Sequence, residues 1–65
     1  MTGDRIAALG AKANALRRAG FYTAEEVRWI AEQARAGSSL LIEIEVLVEN
    51  AAQEMRRKGV DIGLA

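Results

Sequence analysis

The side chains able to do chemistry in this sequence are few. The chain contains no Cys and no His. A thiolate nucleophile, imidazole acid–base catalysis and Cys/His zinc sites are therefore excluded. What remains is carboxylate chemistry, and Glu45 and Glu49 are its best pair. They lie one turn apart if their segment is helical, a spacing that serves a metal site when further ligands join it. No His and no second Glu-rich segment accompany them, so neither a metal nor a cofactor is expected. Gly59 and Gly63 lack the Lys-Ser/Thr that follows a phosphate-cradling loop. The expectation is a protein that is not an enzyme.

Binding chemistry is better represented. Tyr22 and Trp29 are of the types enriched among interface hot spots, and Arg28 and Arg35 on the same helix are candidates for a charged rim around them. Seven of the nine residues from Leu40 to Val48 are large and apolar. On a helix, Leu40, Leu41, Ile44, Leu47, Val48, Ala51, Ala52 and Met55 form a stripe about 140° wide, with Ile42 and Val46 on the opposite, otherwise polar side. That segment offers two apolar surfaces, more than one small protomer is expected to hide, and an exposed remainder marks an interface. The broad stripe (Leu40, Leu41, Ile44, Leu47, Val48, Ala51, Met55) is expected to meet its copy in a homodimer. Tyr22, Trp29, Arg28, Arg35, Ile42 and Val46 are the candidates for contacting a larger protein partner.

These residues must be positioned by elements read from the punctuation. There is no Pro, so Gly and Ser mark the breaks. A first helix is predicted over about 4–19, capped by Asp4 and closed by Gly20. Ile6, Leu9, Ala13 and Leu16 give it a seam about 80° wide. Thr23-Ala24-Glu25-Glu26 reads as a capping box opening a second helix over 23–36, with Tyr22 and Val27 as the staple pair and Gly37 as the stop. Val27, Ile30, Ala31 and Ala34 share its inner face, and Trp29 projects away from it. A third helix is predicted over 39–58, capped by Ser38 or Ser39 and closed by Gly59. Leu40–Val48 also alternates as a strand does, with Glu43 and Glu45 between apolar residues. Continuity into Ala51–Met55 favours helix, and a lone strand would have to pair across a dimer. Residues 59–65 form a short tail in which Val60, Ile62 and Leu64 alternate.

Formal net charge is zero, with nine basic and nine acidic residues, but the charge is segregated. The first helix carries Arg5, Lys12, Arg17 and Arg18 against Asp4; Glu43, Glu45, Glu49 and Glu54 stand unopposed over residues 37–54; and Arg56, Arg57 and Lys58 follow against Asp61. Pairing of the basic and acidic segments, within a protomer or across a dimer, follows.

The fold class is therefore all-α: one domain spanning 1–65, three helices in a small bundle or an open hairpin, dimeric through the third. A chain of this length buries only about 60% of its unfolded surface, and without disulfide or metal, association is the remaining means of support. No basic excess marks a nucleic-acid binder. The stretch Phe21-Tyr22-Thr23-Ala24-Glu25-Glu26-Val27 resembles the opening of the first helix in excisionase-like and MerR-like helix-turn-helix modules, and that resemblance implies a DNA-associated regulator. In those families the following helix reads DNA with basic and polar residues. Here it begins Leu40-Leu41-Ile42-Glu43-Ile44-Glu45, whose carboxylates repel phosphate. The favoured reading is a non-enzymatic interaction module that binds and modulates a larger protein as inhibitor, anti-activator or adaptor. A structural oligomerisation piece is the further alternative. The first residues lack a secretory pattern and no apolar run reaches a membrane span, so a cytoplasmic protein is expected. Seven Arg to two Lys and thirteen Ala fit a GC-rich bacterial or phage gene.

Overall fold

The computed structural model of the chain describes residues 2–60. They form three helices, α1 (Thr2–Arg18), α2 (Ala24–Arg35) and α3 (Leu41–Arg57), and each packs against the other two. The open-hairpin alternative is excluded for the described residues. Leu40–Val48 is not a strand: Leu41 to Val48 are the first two turns of α3.

Glycine sets the stops. Gly20, Gly37 and Gly59 all adopt positive φ, which a side chain would oppose. At each, the glycine N–H reaches back to one carbonyl of the last turn and the next residue's N–H to the carbonyl before it: Gly20 to Arg17 and Phe21 to Leu16, Gly37 to Ala34 and Ser38 to Gln33, Gly59 to Arg56 and Val60 to Met55. These are Schellman closures, and they satisfy carbonyls that a helix end leaves without partners.

The helix starts are less uniform. Thr23 caps α2 as expected: the Glu26 N–H donates to Thr23 Oγ1 at 3.1 Å and the Thr23 N–H to Glu26 Oε1 at 3.0 Å. α1 begins before Asp4, so Asp4 lies inside the first turn and acts on the dipole rather than as the cap. Neither Ser38 nor Ser39 caps α3. Ser38 Oγ accepts from the Leu40 N–H at 3.1 Å and its carbonyl from the Leu41 N–H at 3.0 Å. This is a serine turn, and it delivers the chain to Leu40, which begins α3 without a side-chain cap.

The core takes Leu9, Ala13, Ala15 and Leu16 from α1, Val27, Ile30 and Ala34 from α2, and Ile44, Val48, Ala52 and Met55 from α3. Four of these eleven are alanines, which let the backbones approach closely. Ile6, Phe21, Tyr22, Leu41 and Ala51 pack around the margin. No polar side chain is buried among the described residues, so the core is held by apolar burial, at about 1.5–3 kcal/mol for each large side chain. Among the described helices none is long and apolar enough to cross a membrane.

Candidate functional site

The core fixes which side chains of α3 remain outside. Ile44, Val48 and Met55 are almost wholly buried within the single chain. Sequence assigns them to a contact with a second copy, but α1 and α2 already cover them. An apolar stripe states that it will be covered, not by what. Leu41 and Ala51 are half-buried at the edge of the core, and only Leu40 and Leu47 of the expected dimer residues are exposed.

Six large apolar side chains are exposed among the described residues: Trp29, Leu40, Ile42, Val46, Leu47 and Val60. The first five form two groups, one along each flank of α3. Ile62 and Leu64, which alternate with Val60 in sequence, lie outside the described residues.

The α1–α3 flank is a charged seam. Arg5 pairs with Glu45, and Lys12 Nζ lies 2.7 Å from Glu49 Oε2. Arg56 approaches the other oxygen of Glu49 at 3.6 Å. Two basic residues of α1 and two glutamates of α3 therefore neutralise each other inside one protomer. Lys12, by hydrogen bond and by charge, holds the Glu49 carboxyl below its ordinary pKa, with Arg56 adding to the effect. Both carboxylates that sequence singles out for metal chemistry are thus engaged by cations. Between the helices an open groove of about 410 Å³ is lined by these four ion-paired residues with Ala8, Leu9, Ile42 and Val46. Ile42, 69% exposed, and Val46 stand on its α3 wall, on the side that helical spacing predicts.

The α2–α3 flank has the opposite character. Trp29 projects from α2 toward Leu40 and Leu47 of α3, and two small hollows share Trp29 and Leu47 as a common wall. One, of about 140 Å³, is completed by Leu40, Glu43 and Ile44. The other, of about 130 Å³, is completed by Tyr22, Glu26 and Ile30. Each is well below the size of a small-molecule pocket. Tyr22 closes one end, its hydroxyl making a long 3.4 Å hydrogen bond to the Leu47 carbonyl. Burial pushes the phenol pKa up, and the nearby Glu26 carboxylate adds to the rise.

The rim of these hollows differs from the one that α2 alone suggests. Arg28 and Arg35 line neither hollow; Glu26 and Glu43 do. Arg28 is displaced about 100° around α2 from Trp29 and Arg35 about 120°, whereas Glu26, three residues before Trp29, lies only about 60° away. The rim is therefore acidic. Spacing puts Glu25, Glu26 and Glu32 all within about 60° of Trp29, so it makes an acidic surround legible without singling out Glu26; Glu43 requires knowing that α3 packs beside Trp29.

The two flanks thus offer different surfaces: one presents compensated ion pairs, the other two side-chain-sized apolar hollows. No family model, curated protein or solved structure matches the chain.

Proposed function

We propose that this chain is a non-enzymatic protein–protein interaction module that binds a larger protein and modulates it, with α3 as its contact element. The observation that carries this reading is the placement of exposed apolar side chains. Ile42, Val46 and Leu47 of α3 and Leu40, the residue before it, are exposed, and Trp29 stands beside Leu40 and Leu47. The core is complete without any of them, so their exposure is not a packing requirement of the protomer. Large apolar side chains gathered on two flanks of one helix are the kind of surface that partners cover.

The two flanks suit different occupants. The α1–α3 seam carries both signs of charge in matched pairs around Ile42 and Val46. In a twofold contact such a rim meets itself without net repulsion, so Ile42 and Val46, which helical spacing alone marks for the larger protein, are given instead to a second copy. The α2–α3 side, with Trp29 as anchor, is assigned to the larger protein. A DNA-reading role is disfavoured by Glu43 at the start of α3, which among the described residues has no cation beside it and would oppose phosphate.

The test is affinity capture from a lysate of the source organism with three tagged chains: wild type, Leu47→Glu and Ile42→Glu. Both substitutions lie on exposed positions and leave the core intact. A specific protein retained by wild type and Ile42→Glu but lost with Leu47→Glu is the expected result. Equal capture by all three, with unchanged monomeric mass in light scattering, would contradict the reading.

A further inference from the structure

From the acidic rim of the α2–α3 flank we infer that its occupant is a basic amphipathic helix, one that seats two large apolar side chains about a turn apart in the hollows either side of Trp29 and Leu47 and sets Lys or Arg against Glu26 and Glu43. The inference rests on the reading of the chain as an interaction module and specifies the chemistry of its partner.

Three features carry it. The hollows, at about 140 and 130 Å³, are single-side-chain sized and divided by a shared Trp29–Leu47 wall. An amphipathic helix laid along the flank presents large apolar side chains in neighbouring pairs, at i and i+3 or i+4, one for each of two adjacent hollows. The only charged residues lining either hollow, among the described residues, are Glu26 and Glu43, both acidic. Among the described residues neither is paired with a cation: the ion pairs of α3 engage Glu45, Glu49 and Glu54. A complementary partner therefore brings positive charge.

The same rim disfavours a second copy at this site. An isologous contact places the same patch on both sides of a twofold axis. Glu26 and Glu43 of one protomer would then face the carboxylates of the other. The α1–α3 seam has no such conflict, because Glu45 and Glu49 are already paired.

Trp29 is the only tryptophan, so its emission reports this site alone. The experiment titrates the full chain with an amphipathic helical peptide bearing a leucine stripe flanked by lysines, and with a counterpart in which every lysine is glutamate. The lysine peptide is expected to shift Trp29 emission to the blue and to bind at least about tenfold more tightly than the glutamate peptide. Glu43→Lys, at an exposed position, should narrow or reverse that preference while leaving the helical circular dichroism unchanged. A blue shift of equal affinity with both peptides, or no shift with either, overturns the inference. A preference for lysine that survives Glu43→Lys undiminished overturns it too. The broader reading is judged separately by the capture comparison, which depends on Leu47 and not on the peptide's charge.

Discussion

The two flanks of α3 are built from one helix and yet differ in kind. Toward α1, Glu45 and Glu49 reach across to Arg5 and Lys12, and the apolar Ile42 and Val46 line the same groove as these neutralised pairs. Toward α2, no ion pair bridges the helices among the described residues. Trp29, Leu40 and Leu47 meet around two hollows edged by the carboxylates of Glu26 and Glu43. Charge pairing thus neutralises the carboxylates on one side of the molecule, and its absence leaves those on the other side without cations among the described residues. Zero net charge conceals this, because the opposite signs meet on one face only.

The sharpest way to break the comparison is to move inward from the surface. Ile44 lines one of the α2–α3 hollows at 3% exposure, and Leu47 lines both at 51%. Ile44→Ala should cost about 2–5 kcal/mol in chemical denaturation, a large part of what so small a domain possesses. Leu47→Ala should fall within about 0.5 kcal/mol of wild type. Similar losses at both positions would mean that Leu47 belongs to the core and the flank is not open.

A smaller effect tests the turn that presents Leu40 to Trp29. Gly37 has a φ of 66°, and a Cβ there would meet no atom within 4 Å. Gly37→Ala should therefore cost about 1–2 kcal/mol from backbone strain alone, read as a lower denaturation midpoint with an unchanged slope.

The charged seam contributes less and only in one direction of pH. The folded-state pKa of Glu49 lies below its ordinary 4.5. Its pairing therefore stabilises the fold fully above that value, and the contribution is lost as pH falls through the lowered folded pKa. Glu49→Gln should flatten the acid limb of a melting-temperature profile, and added salt should mimic it in wild type. The α2–α3 side has its own, slightest signature. Tyr22 should ionise above the ordinary 10.0 in an ultraviolet titration, chiefly because it is desolvated, and Glu26→Gln should remove only part of the rise. A Tyr22 titration at or below 10.0 would mean that the hollow beside it is open to water.

Much of the architecture is legible in the amino-acid order itself. The three glycine stops and the Thr23–Glu26 capping box are local devices whose geometry is written in a few adjacent residues, and each is found where those residues predict it. The inner faces of α1 and α2 follow equally from spacing. The broad stripe of α3 is legible as a face to be covered, but the identity of its cover is not. Ile44, Val48 and Met55 would be equally satisfied by a copy or by α1 and α2, and only the closed bundle decides. The rim of Trp29 escapes sequence for the related reason that half of it comes from α3. A residue's neighbours on its own helix are fixed by a rotation of about 100° per step, whereas neighbours across a seam depend on how two helices meet.

The most direct test of the contrast between flanks follows molar mass by light scattering and Trp29 emission together across a wide range of protein concentration. Mass should rise toward a dimer while Trp29 emission stays where it was in the monomer, because the proposed contact between copies runs through Ile42 and Val46 on the far side of α3. A blue shift of Trp29 that tracks the rise in mass would place the second copy on the α2–α3 flank and contradict the assignment.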